Sequence, residues 1–244
     1  MDKNIYQKLV KIHETNWYFR AKRDLIQSIF VKYKLKPQKT LDIGAGVGAN
    51  IKLLRQFSKR VDGVDNSKIA IKLGKQKGIN KIYYGDALTF RKSQYDFILC
   101  SDIIEHVDED KFFANLKQIV CPGGMVLITV PAFNFLWGDT DKISHHKKRY
   151  QLYALKELIK RNHFKIVFLN YWNILLFIPM VLYLYVFEKG ILKYFRKNPK
   201  VHLLAIPKYL NKPLNTLMKI ENKLCLNLPL PFGINIVALI QKTK

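Results

Sequence analysis

The residues of this 244-residue chain best suited by type to do chemistry fall in two groups. The first is built on glycine. Asp42 precedes Gly44, Gly46 and Gly48, and acids recur at Asp65 and Asp86, each just after a short apolar run. Glycines spaced this way let a strand turn sharply into a helix and let a ligand approach the backbone. The unpaired N–H groups of the helix start and the Asp42 carboxylate would then face one small polar ligand. The second group, Asp139, Asp141, His145 and His146, supplies proton acceptors. Any of the four could be the general base that an unactivated hydroxyl nucleophile needs. Two structural roles compete with that one: a histidine capping the next helix, and a basic run that binds phosphate or is merely solvated.

Positioning these groups requires alternating strands and helices. Residues 1–36 read as helical, with Trp17, Phe19, Leu25, Ile26, Ile29, Phe30 and Tyr33 on an apolar face. That helix is expected either to staple itself to the domain by its aromatics or to act as a lid, with Arg23 near a carboxylate. Pro37 ends it, and Lys39–Ile43 is the first strand. Residues 50–57 have helical spacing, Arg60–Asp65 is a second strand, and Asn66-Ser67 caps a helix running to Lys75. Lys81–Tyr84, Tyr95–Ser101 and Met125–Val130 continue the pattern, with a helix from Asp108 to Val120 between the last two. Leu152–Arg161 is a further helix, Phe164–Asn170 a sixth strand and Ile234–Ile240 a seventh. Short connections between alternating elements predict an α/β fold with a doubly wound, mostly parallel sheet. In such a sheet an acid some twenty residues past the glycine turn, here Asp65, accepts hydrogen bonds from ribose hydroxyls.

Two families of cofactor use a turn of this kind. Gly44-x-Gly46-x-x-Ala49 satisfies the relaxed dinucleotide fingerprint, which makes an NAD-dependent oxidoreductase the alternative reading. Asp42-x-Gly44-x-Gly46-x-Gly48 closely resembles the first motif of class I S-adenosylmethionine methyltransferases. A pyrophosphate gains nothing from a carboxylate on the approaching strand, whereas an amino-acid ammonium does, so Asp42 favours the second. The resemblance implies a seven-stranded Rossmann-like sheet closed by an antiparallel seventh strand paired to the sixth. It also implies a cofactor site formed by Asp42, Gly44, Ala45 and Gly46 at the turn, Asp65 and Asn66 at the ribose, Asp86 and Ala87 at the adenine, and Ser101 and His106 beside the sulfonium. The stretch His146-x-Lys148-Arg149-Tyr150 resembles an element of a bacterial and archaeal methyltransferase subgroup associated with lipid or glycan modification. Asp102-x-x-Glu105-His106 resembles the acid-acid-His cluster of ubiquinone-pathway O-methyltransferases, which can hold a divalent ion, although Asp stands here for the usual Glu. No Asn-Pro-Pro-aromatic tetrapeptide follows the fourth strand, so a nucleic-acid acceptor is not favoured.

The formal net charge of +24 predicts attraction to polyanions, unless it only reflects a lysine-rich proteome. Residues 166–187 carry no charge, and Ile174–Phe187 is nearly all apolar, with Pro179 expected to interrupt it. Lys189, Lys193, Arg196, Lys197 and Lys200 follow, interleaved with Tyr194 and Phe195, a composition suited to the membrane interface. The expected organisation is a helical lid over 1–36, a methyltransferase domain over 37–170 plus 232–244, and a helical, membrane-interfacial insertion over 171–231. Cys100, Cys121 and Cys225 form neither a zinc pattern nor a disulfide framework. With no signal peptide visible, a cytoplasmic protein peripheral on the inner membrane face is expected. The function that follows is O-methylation of a small-molecule, lipid or lipid-linked glycan acceptor, less readily N- or C-methylation. A non-catalytic peripheral membrane protein retaining the fold is the remaining alternative.

Overall fold

A computed structural model of the chain describes residues 16–190 and 208–243. Seven strands, β1 (Lys39–Ile43), β2 (Arg60–Asp65), β3 (Ile82–Tyr84), β4 (Tyr95–Ser101), β5 (Val120–Pro131), β6 (Phe164–Trp172) and β7 (Asn235–Lys242), form one sheet in the order 3-2-1-4-5-7-6. β7 runs antiparallel to both neighbours, β5 and β6, and the other strand pairs are parallel. The expected pairing of strands six and seven holds, and β7 also wedges between β5 and β6.

Both faces of the sheet are covered, which is why its strands read as continuous apolar runs. Alternate residues of β4 point to opposite sides. Ile98 and Cys100 join the core formed by helices α4 (Glu109–Ile119) and α6 (Leu152–Arg161). Phe97 and Leu99 join the core formed with α1 (Trp17–Lys32), α2 (Ile51–Leu54), α3 (Lys68–Gln76) and α8 (Asn211–Asn227). α1 is clamped as well as packed. The Trp17 N–H donates to Asn211 Oδ1 at 3.1 Å, and the Asn222 amide joins the Ala21 carbonyl to the Trp172 indole. The staple role expected of this helix is therefore observed.

Several boundaries differ from expectation for local reasons. The helix after the glycine turn is a single turn, Ile51–Leu54, because the following residues pass into turns before β2. β5 begins at Val120 and absorbs Pro122-Gly-Gly124 as an irregularity in its pairing with β4. β6 runs on to Trp172, so the insertion between β6 and β7 comprises residues 173–234. Pro179 does not interrupt its first helix, α7 (Phe177–Tyr183), because it occupies the first turn, where no intrahelical N–H bond is lost. A turn of π-helix, Leu184–Glu188, continues α7. His13, Glu14, Lys193, Tyr194, Phe195, Arg196, Lys197 and Lys200 lie outside the described residues. Among the described residues, no helix is long and apolar enough to cross a membrane, and all three cysteines are free thiols.

Candidate active site

The strand order reverses between β1 and β4, the position where open α/β sheets bind ligands at the carboxyl ends of their strands. The glycine turn leaves β1 at that point. Gly44, Gly46 and Gly48 all have positive φ, at +71°, +55° and +79°, a region costing other L-residues about 1–2 kcal/mol. Their surroundings differ. A Cβ on Gly44 would lie 2.0 Å from Ile103 Cδ1. One on Gly46 would meet nothing within 4 Å. A side chain at Gly44 would thus have to displace the end of Ile103, whereas Gly46 leaves open room. Gly44→Ala is expected to lower stability by about 1–2 kcal/mol through backbone strain, with a further cost if Ile103 cannot move aside. Gly46→Ala costs only the strain, and its larger effect is expected on cofactor affinity. Thermal melts and S-adenosylhomocysteine calorimetry on both variants check this; a Gly46→Ala protein with undiminished affinity would refute the assignment.

Four amides of the turn are already engaged. Gly44 and Ala45 donate to the Val64 carbonyl, Gly48 to the Ala45 carbonyl, and Gly46 to Asp65 Oδ2 at 2.7 Å. A dinucleotide pyrophosphate would compete for these four amides, which counts against the oxidoreductase reading. The carboxylates tell the opposite story. Asp42 is fully buried, and no hydrogen bond of ordinary geometry reaches either of its oxygens, the Asn50 side chain being the polar neighbour that acts on it. Burial first, and then the Asp65 charge, push its carboxyl up to about 8, against a smaller pull from the Asn50 side chain. An uncompensated carboxylate beside an open glycine cradle fits a cationic ligand.

Asp65 is held at the end of β2 by the amides of Gly46 and Ser67, the latter at 2.8 Å. Asn66 beside it is exposed, and Ser67, not Asn66, caps α3 through the Ala70 amide. Asp86 accepts from the Leu88 amide in a turn after β3, and the Ala87 carbonyl accepts from the Asn115 amide. These residues line up along the carboxyl edge of β1, β2 and β3, as a nucleoside site requires. The residues fit S-adenosylmethionine by their chemistry: Asp42 would hold its ammonium, and Asp65 and Asp86 would accept from its ribose and base.

The end of β4 is organised by an ion pair that sequence reasoning missed. The Lys22 ammonium, on α1 and almost fully buried, contacts the Asp102 carboxylate, which also accepts from Thr129 Oγ1 at 2.9 Å. Burial alone would lower the Lys22 pKa, but Asp102 and then Tyr18 hold it above its ordinary value. Eighty residues separate the partners, so no local pattern signals the contact. Ser101 pairs with Thr129 at 3.1 Å. Asp102 is consequently not part of an Asp102–Glu105–His106 ligand set. The third residue near Glu105 and His106 is His146, and one ligand atom from each of the three lies within 4.8 Å of the others. Glu105 is buried, with both oxygens lacking a partner among the described residues. Burial and then the Asp102 charge hold its carboxyl well above the usual range. His106 and His146 meet edge to face at 4.8 Å, and the His106 pKa is lowered by burial and then by His146.

The four candidate bases separate cleanly. Asp141, on the short helix α5 (Asp139–Ile143), is fully buried. It accepts from Arg149 Nε at 2.9 Å, Arg149 Nη2 at 3.0 Å and the Gly138 amide at 2.9 Å. Its Oδ1 also lies 2.7 Å from His146 Nδ1. Burial alone would raise its carboxyl; the bonds to His146 and Arg149 bring it below its ordinary value. Both of its oxygens are thus engaged by neighbouring donors. Arg149 belongs to the basic run that sequence reasoning assigned to phosphate or solvent, yet it is buried and clamps Asp141 in the bidentate geometry guanidinium favours. His145 is exposed, with its backbone at φ 57° and its carbonyl 3.3 Å from His106 Nδ1. Asp139 pairs with Lys142 at 3.6 Å. Of the two histidines, His146 is the one oriented through Nδ1 by a carboxylate, which leaves its Nε2 as the second ring nitrogen.

This site and fold define a class. A family profile described as a methyltransferase domain matches residues 15–169, and the chain belongs to that family, the class I S-adenosylmethionine-dependent methyltransferases. The chain is 31% identical over 137 residues to phosphoethanolamine N-methyltransferase 2 of Caenorhabditis elegans, covering 50% of this chain and 31% of that protein. It is 30% identical over 124 residues to a ubiquinone biosynthesis O-methyltransferase of Coxiella burnetii, covering 46% and 53%. The chain thus spans about a third to a half of the length of these curated relatives. A solved S-adenosylmethionine-dependent methyltransferase from Clostridium acetobutylicum shares the fold at TM-score 0.63 and 12% identity, over 98% of this chain and 100% of that one.

Proposed function

We propose that the protein transfers a methyl group from S-adenosylmethionine to a hydroxyl of a small-molecule, lipid or lipid-linked glycan acceptor at an anionic membrane surface. The observation that carries the cofactor half is the buried Asp42 carboxylate, which no hydrogen bond of ordinary geometry reaches, beside the open face of Gly46. Bound there, S-adenosylmethionine supplies an electrophilic methyl carbon on a sulfonium leaving group. The protein's own part is chiefly alignment. Asp42 fixes the amino-acid end of the cofactor, Asp65 its ribose and Asp86 its adenine, and Ser101 and His106 stand at the end of β4 beside the transfer point. His146 receives the acceptor's proton at Nε2, Asp141 fixes its tautomer, and Arg149 fixes Asp141. The two relatives are named for N- and for O-methylation, so preference for oxygen rests on this dyad. Support for a membrane acceptor comes from the uncharged run 166–187 and the net charge of +24. An inner-face peripheral location accords with the same features.

The test is incubation with methyl-labelled S-adenosylmethionine and a membrane extract. Label is expected in the lipid-extractable fraction. Absence of transfer to any fraction would favour a non-catalytic protein, and nicotinamide-cofactor binding in place of S-adenosylhomocysteine would favour an oxidoreductase. A second reading of the histidines, a divalent ion held by Glu105, His106 and His146, is favoured by the closeness of their ligand atoms. Activity that survives strong chelation excludes it.

A further inference from the structure

We propose that the outer face of α7 and of the π-helical turn after it is the surface by which the protein docks on an anionic lipid membrane. The inference rests on the membrane clause of the function above and names the residues that carry it. From Phe177 to Phe187 the chain has no charged side chain. Its inner side packs: Met180 and Leu184 are buried with Leu136 and Ile234, and the Phe177 ring meets Phe133 and Phe232. Its outer side does not. Leu175, Ile178, Leu182 and Val186 recur at helical spacing, with Tyr185 and Phe187 beside them, and Ile178 and Leu182 are 62% and 59% exposed. A helix apolar all round belongs in a protein core or in lipid. Half of this one has the first and lacks the second.

Charge identifies the occupant. Lys189 is the first of five basic residues within positions 189–200, and the whole chain carries +24. A short apolar face with aromatics beside it and Lys189 at its end, in a strongly basic chain, suits the headgroup boundary of an anionic bilayer. The acid nearest the face, Glu188, is turned inward and accepts from the Asp139 amide at 2.8 Å. Lys189 donates to the Phe135 carbonyl at 2.8 Å. Gly138 packs so tightly beneath that a Cβ there would lie 2.5 Å from Glu188 Oε2. The docking face is therefore braced directly onto α5, the helix that carries Asp141 and orients His146. Seating the face on lipid brings the acceptor side of the site to the surface where a lipid or lipid-linked hydroxyl lies.

The full-length protein is floated with vesicles of phosphatidylglycerol mixed with phosphatidylcholine, and separately with phosphatidylcholine alone. The expected result is recovery with the anionic vesicles only. In an Ile178→Ser/Leu182→Ser double variant the vesicle-bound fraction is expected to fall roughly tenfold or more, with an unchanged thermal melt, since both side chains are exposed. Wild type that stays free of anionic vesicles overturns the proposal. So does a double variant that floats as well as wild type, or a wild-type dimer in sedimentation that the double variant loses, which would make a second copy the occupant. S-adenosylhomocysteine calorimetry separates the two readings: intact binding with no flotation defeats docking alone, and flotation without cofactor binding defeats the proposed activity alone.

Discussion

Replacing Asp42 with Asn is expected to weaken S-adenosylmethionine binding by on the order of 10²–10³-fold while making the ligand-free protein more stable at alkaline pH. Both effects come from one carboxylate. Buried at the end of β1 with no hydrogen bond of ordinary geometry to its oxygens, it is raised from 3.8 to about 8. The folded protein therefore holds this proton more tightly than the unfolded chain does. Its contribution to stability is fully present below pH 3.8, declines as the unfolded chain ionises, and is lost once pH passes about 8. Asn cannot ionise, so the stability advantage of the variant over wild type should grow across that window and then level off. Binding runs the other way. A ligand ammonium needs the ionised carboxylate, and removing one partner of a buried ion pair costs about 3–5 kcal/mol. Wild type should release a proton on binding when the pH is below about 8, visible as a dependence of the calorimetric enthalpy on buffer ionisation. Melts of both proteins across pH and titrations in two buffers are the measurements. A variant that binds as tightly as wild type would remove Asp42 from the site.

The contrast between Asp42 and Arg149 shows what a linear chain displays. Asp42 was legible because its meaning depends on neighbours in sequence: the strand before it and the three glycines after it. The same holds for Asp65 at the close of β2 and for Asp108, whose Oδ1 caps α4 through the Lys111 amide. The parallel order of β1 to β5 follows from short crossovers, which leave few topologies open. Arg149 stands in a run of basic residues, and nothing local separates it from Lys147 and Lys148. Its burial follows from α5 folding back so that Asp141 comes within 2.9 Å of its Nε. Lys22 and Asp102 meet only because α1 lies across the end of β4. Glu105 stands in the sequence as a member of an acid-acid-His cluster, and nothing local shows that the turn Ile104–His106 rotates it into the protein. Periodicity reports which face a residue takes on its own element. It is silent on which other element covers that face, and the Lys22–Asp102 and Arg149–Asp141 pairs are of that second kind.

The His146 assignment makes the second large prediction. His146→Ala is expected to lower the methyl-transfer rate by roughly 10²–10⁴-fold, the range contributed by a positioned general base. S-adenosylhomocysteine affinity should barely change, because Asp42, Asp65 and the glycine turn stand on other elements. A loss of rate alone would not separate a base from a residue that merely supports α5, so the variant should also be assayed with added imidazole. His146 is half-buried beside the His106 ring, and its removal leaves a gap lined by Asp141 Oδ1, the atom that orients the native ring. Imidazole entering that gap can accept the acceptor's proton and be oriented by the same oxygen, restoring rate without restoring any covalent link to α5. Recovery that rises with imidazole concentration identifies proton transfer as the role; absence of recovery with a native melt leaves His146 a structural residue. Arg149→Lys completes the argument. It keeps the charge that Asp141 needs but loses the two-pronged grip at 2.9 and 3.0 Å, so Asp141 stays paired while its aim at His146 loosens. The expected result is a lower turnover rate with little change in cofactor binding, and at least part of that loss should persist in imidazole, since the added ring meets the same misaligned carboxylate.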